Sequence, residues 1–208
     1  MKFLVAYLFW PYLYHYFKSL YGSNSIARNL VGLVDTVGCI GLSAMDYYYD
    51  VSYSWYLSLM LPFFYYLWDI NYIFLISYEK DKWYILHHLI AIYIIVEILQ
   101  GPESFQVLVY PMLMAAELTN IPLHLTYHIL KTRPQQRLLI FSCKIIHCLI
   151  FFLIRIVYYS YLVFTVAPIL LPNWIFVLSL LSIYVSGLTW FHRQLGSLGR
   201  DYLEFYKN

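Results

Sequence analysis

The chain has 208 residues, of which 62% are hydrophobic and only 12% charged. A water-soluble domain carries about 25% charged residues, so a soluble globule is excluded. The net charge of +2, with no long basic run, excludes a nucleic-acid partner, and the length suits one all-α polytopic transmembrane bundle without a separate soluble module.

The first apolar run, 3–17, follows a single lysine and is interrupted by Pro11. It resembles the start of a signal peptide but lacks a small-x-small cleavage site, so it reads as an uncleaved first span. Further apolar runs follow at 29–45, 54–76, 83–99, 105–130, 138–166 and 174–192. A spanning helix needs about 20 residues; the third, fifth and sixth runs meet that length, while the first two are short. Seven spans are predicted.

The loops give an independent check. Lys18 and Arg28 bracket the first, Lys80 and Lys82 lie in the third, and Lys131, Arg133 and Arg137 occupy the fifth. Arg193, Arg200 and Lys207 follow the last span, whereas the loops at 46–53, 100–104 and 167–173 contain no Lys or Arg. Basic loops stay cytoplasmic, so this alternation predicts a lumenal or external N-terminus and a cytoplasmic C-terminus. The expected division is 1–24 as first span and loop, 25–195 as the main transmembrane domain and 196–208 as a cytoplasmic tail.

Cys39, Cys143 and Cys148 all fall in apolar segments, with no disulfide or zinc spacing, and read as small buried hydrophobes. Tyr47, Tyr48, Tyr49, Tyr158, Tyr159 and Tyr161 lie near the predicted external boundary, where amphipathic rings collect as a belt.

Ionisable groups inside spans are costly and usually face a bundle interior or a wet cavity. Here they are Asp35, Asp69, His87, His88, Glu97, Glu117, His124, Lys144, His147 and Arg155. At a 1.5 Å rise per residue, His87, His88 and His124 lie roughly 9 Å from the cytoplasmic ends of their spans, Asp69 about 12 Å, and Lys144 and His147 roughly 9–14 Å. Glu117, Asn120, His124 and His128 form one helical stripe, and Lys144, His147 and Arg155 another. The simplest consequence is a polar pocket opening towards the cytoplasm; the plainer reading is interhelical hydrogen-bond glue.

Vicinal histidines suit acid–base or nucleophilic work near neutral pH, with Asp69 or Glu117 able to hold a tautomer. Adjacent histidines diverge by about 100° on a helix, which disfavours shared ligation, so no metal site is expected.

YYLWDI at 65–70, EKDKWYILHHLIAIY at 79–93 and AAELTNIPLHLTYHILK at 115–131 together resemble the TLC-domain family, which includes the ceramide synthases. The resemblance covers about residues 25–195 and implies a helix bundle of the endoplasmic reticulum with a lipid-accepting cavity. Carried over, His87 and His88 look like the paired histidines of the synthases. Where the family's later motif has His-Asp and a further Asp, this chain has Ala116, Glu117 and Asn120, which looks closer to the non-synthase branches.

Two functions follow from the resemblance. One is a protein of lipid metabolism that binds or modifies lipids in the pocket, with Asp69, Asn120, His124, Lys144 and His147 holding the lipid. The other is a sphingolipid N-acyltransferase with acyl-coenzyme A as co-substrate, no bound cofactor, and His87, His88 and Glu117 as catalytic groups. Membrane lipids are the expected partners, alone or with a second chain as a homo- or heterodimer. A transporter or channel would draw on Asp35, Glu97, Lys144 and Arg155, but such folds usually show repeated halves.

Overall fold

A computed structural model describes residues 2–49, 53–170 and 173–207. Parts of the predicted second and sixth loops, 50–52 and 171–172, lie outside the described residues. The described elements are α1 (Lys2–Tyr21), α2 (Asn24–Tyr49), α3 (Ser54–Tyr72), α4 (Tyr78–Gln100), α5 (Glu103–Leu118), α6 (Asn120–Thr132), α7 (Arg137–Phe151), α8 (Tyr159–Leu170) and α9 (Trp174–Lys207). Short π-helical segments join α3 to α4 (Ile73–Ser77) and α7 to α8 (Phe152–Tyr158). The fold is all-α.

Among the described residues, four continuous helical stretches are long and apolar enough to cross a membrane: Asn24–Tyr49, Ser54–Gln100, Arg137–Leu170 and Trp174–Leu203. They are compatible with an integral membrane protein. The first predicted span, α1, is not among them, because Pro11, His15 and Lys18, together with its tyrosines, lower its mean hydropathy. The stretch Ser54–Gln100 doubles back on itself. A straight helix would hold Asp69 and His88 about 28 Å apart, yet their side chains meet at 2.8 Å. The reversal falls at the π-helical segment, where Ser77 leaves helical backbone angles at φ −136°, ψ 22°. This stretch therefore contributes two antiparallel helices, of 19 and 23 residues.

Contacts divide the chain into two compact units that meet in sequence at Leu118 and Thr119. One bundle over 25–195 was the expectation, with the fifth span running unbroken from 105 to 130. The helix is instead interrupted at Thr119. Pro122 accounts for the break, since it has no N–H to give the Leu118 carbonyl.

The first unit contains α1–α5. Gly22, at φ +64°, makes the sharp turn from α1 into α2, a backbone conformation that costs glycine little. From α1, Trp10 packs edge-on against Tyr65 at 5.6 Å, and Tyr14 packs against Trp68 and Tyr72 at 5.8 and 5.3 Å. Helix α1 thus contributes Trp10 and Tyr14 to the core of this unit. Helices α2 and α3 approach closely at Gly38, where an added Cβ would meet Leu61 Cδ2 at 2.6 Å.

In the second unit α6 packs on α7, and the stretch α7–α8 pairs antiparallel with α9. Ser160 bonds Tyr184 at 2.7 Å, Phe152 stacks on Phe191 at 5.6 Å, and Lys144 reaches Asp201 at 2.6 Å. These contacts follow one register along the pair. At 196–208, where a cytoplasmic tail is expected, α9 stays helical through Lys207, and Ser197 and Asp201 both bond Lys144.

The three cysteines are free thiols, and Cys39 donates to the Ser58 carbonyl at 3.1 Å. Five tyrosines of the predicted belt are exposed, while Tyr159 is buried and stacks on Tyr184.

Candidate functional site

The polar centre of the first unit is built on one residue, Asp69 of α3, which is 1% exposed. An isolated carboxylate is prohibitively costly there, so the fold surrounds it with donors. From α2, Arg28 grips both of its oxygens, Nε at 2.7 Å and the second terminal nitrogen at 2.8 Å. The remaining terminal nitrogen of Arg28 reaches Asp81 of α4 at 2.5 Å, and Tyr72 lies beneath the guanidinium at 5.1 Å. A planar fork bridging two carboxylates is what arginine does better than lysine.

His88 of α4 completes the group, with Nε2 at 2.8 Å from Asp69 Oδ2. Its ring stacks on Tyr66 with centroids 4.7 Å apart. Tyr66 in turn donates its hydroxyl to Glu117 at the end of α5. Asp69 fixes the orientation of the His88 ring and, when the histidine is neutral, places its proton on Nε2, leaving Nδ1 as the basic nitrogen. Nδ1 is buried and has no hydrogen-bond partner among the described residues. The group therefore comprises a positioned imidazole, two buried carboxyl groups and a clamped arginine.

The structure distinguishes the vicinal histidines. His88 is buried inside this network; His87, one residue earlier and roughly 100° around the helix, is half-buried with its ring centroid 5.7 Å from that of His88. Of the sequence-predicted site residues, Asp69, His88 and Glu117 therefore belong to one connected group.

Asn120, His124, Lys144 and His147 belong to the second unit. Asn120 and His124 are half-buried on α6. Lys144 is tied to Asp201 at 2.6 Å and Ser197 at 3.1 Å, and His147 lies 3.3 Å from the Gln194 amide nitrogen. These bonds bind α7 to α9 within the unit, a structural employment for two residues expected to hold a lipid.

Arg28, Tyr66 and Asp81 were not anticipated. Arg28 read as a loop residue because the positive-inside rule accounts for it, but it lies inside α2 and its charge is directed inward. The signal available was its spacing of seven from Asp35, two turns along one helical face.

No family model matches the chain, and neither does any curated protein or solved structure.

Proposed function

We propose that this chain is a multi-pass membrane protein of TLC-like type, resident in the endoplasmic reticulum, that binds or modifies lipids at the Asp69–His88 site. In this reading it spans the bilayer seven times, with the N-terminus lumenal and the C-terminus cytoplasmic. The basic loops support that orientation, although Arg28 is now engaged in ion pairs. The observation that carries the lipid reading is the Arg28–Asp69–His88 network itself. Groups this polar, gathered among apolar helices, suit a headgroup whose tails remain in the bilayer.

A second reading, N-acyl transfer from acyl-coenzyme A to a sphingoid amine, draws on the Asp69–His88 pair. A carboxylate-held imidazole is the arrangement of a general base. The amine nitrogen would attack the thioester carbonyl while His88 Nδ1 takes its proton. The carbon–sulfur bond would then break, and that proton would leave on the coenzyme A thiol. Ala116 and Asn120, which depart from the synthase pattern, favour the first reading.

Quantitative lipidomics of ceramide-synthase-deficient cells expressing the protein separates the two. Binding or regulation predicts a shift in membrane acyl composition without restored ceramide, and acyl transfer predicts restored ceramide. Either change must vanish on His88→Ala; no change in any lipid class, with the protein present in the membrane, overturns both.

A further inference from the structure

The polar groups of the first unit do not stop at Asp69. Along α2, Arg28, Asp35, Cys39, Ser43 and Asp46 recur on one face. Each lies level with polar groups of the packed helices. Arg28 meets Asp69 and Asp81, as described above. Asp35 is 1% exposed and lies within Coulombic range of Glu117 and Asp69. Cys39 donates to the Ser58 carbonyl. Ser58 exchanges a 2.7 Å bond with the Tyr110 hydroxyl, which is also bonded to Ser43. Asp46 accepts from Ser54 at 3.5 Å. From Arg28 to Asp46 the helix rises about 27 Å, close to the roughly 30 Å hydrocarbon thickness of a bilayer. The column thus begins at one half-buried carboxylate, Asp81, and ends at another, Asp46.

Two atoms in the middle of this column mark what it carries. Asp35 Oδ1 and His88 Nδ1 are buried without a hydrogen-bond partner among the described residues. An ionised carboxylate oxygen left bare in an apolar interior is strongly disfavoured, so Asp35 requires a proton or water there. The groups within Coulombic range of Asp35 are Cys39 on α2, Tyr65, Tyr66 and Asp69 on α3, and Glu117 on α5. Among the described residues no three His, Cys, Asp or Glu side chains gather as a metal ion needs. That spacing suits a proton passed from group to group better than a held divalent cation.

We propose that the first unit conducts protons across the membrane along this column, with Asp35, Glu117 and Tyr66 as its central station. A proton enters at Asp46 and passes through the Ser43, Tyr110 and Ser58 hydroxyls and water to the station formed by Asp35, Glu117 and Tyr66. From there His88 takes it up at Nδ1 while Nε2 releases its own proton to Asp69, and the charge leaves by way of Asp81. The neutral ring then returns to the Nε2–H tautomer before the next transfer. At each station one O–H or N–H bond forms as another breaks, so no other reactant is consumed. Arg28 does not bar exit, because the two carboxylates it bridges outweigh its charge. The proposal is independent of the lipid reading and has a separate readout.

The test uses the full chain reconstituted into phosphatidylcholine–phosphatidylglycerol vesicles containing a pH-sensitive dye, with a potassium diffusion potential to drive flux. Wild-type vesicles are expected to change internal pH faster than protein-free vesicles, and Asp35→Asn to abolish the difference. Tyr66→Phe keeps the ring stacked on His88 while removing the hydroxyl, and decides the matter if Asp35→Asn does not fold. Wild-type flux equal to that of protein-free vesicles overturns the proposal, as does flux that neither substitution changes. A current carried by sodium and indifferent to the proton gradient also overturns it.

Discussion

Asp69→Ala is expected to be the most destabilising single substitution in the first unit. It removes the carboxylate that accepts two bonds from Arg28 and one from His88. Arg28, whose side chain is 20% exposed, would keep Asp81 as its remaining anionic partner. Breaking a buried pair by deleting one partner costs about 3–5 kcal/mol, because the other charge stays behind in a poor environment. The double variant Arg28→Leu/Asp69→Leu is expected to recover much of that loss, since replacing both partners by apolar groups removes the stranded charge. Thermal denaturation in mild detergent reads both effects. A melting temperature unchanged by Asp69→Ala would mean that the network contributes nothing to the fold.

The second large effect concerns the histidine pair. His88→Ala removes a ring held by Asp69 and stacked on Tyr66; His87→Ala removes a half-buried neighbour. Loss of a positioned general base typically lowers a rate by about 10²–10⁴-fold. The lipid change produced by the wild-type protein should therefore disappear with His88→Ala and persist with His87→Ala. His88→Gln serves as a control that retains some hydrogen-bonding capacity while losing the titratable ring. If His87→Ala is the variant that eliminates the lipid change, the assignment of His88 as the working residue is wrong.

Much of the helical framework was readable because lipid-facing segments are continuous apolar runs, and all seven runs begin within about five residues of a described helix start. The proximity of Asp69 and His88 was legible for a related reason: consecutive spans joined by a short loop are antiparallel, so groups at matched depth come level. Arg28 was hidden because a rule about loops already explained its charge. Tyr65 and Tyr66 were hidden among 24 tyrosines, most of which interfacial anchoring explains without any site. The stripe from Glu117 to His128 assumed an unbroken helix, and Pro122 removes the hydrogen bond on which that assumption rests. Lys144 read as a pocket residue because its partner Asp201 lay in a segment taken for a tail, so the ion pair that employs it had no second member.

The account rests on a lipid occupying the Asp69–His88 site, and the most direct measurement is mass spectrometry of the intact protein released from mild detergent. The account predicts a stoichiometric lipid on the wild-type chain that is lost in a folded His88→Ala variant and retained in His87→Ala. A wild-type chain that carries no lipid, or one whose lipid is unaffected by His88→Ala, would contradict it.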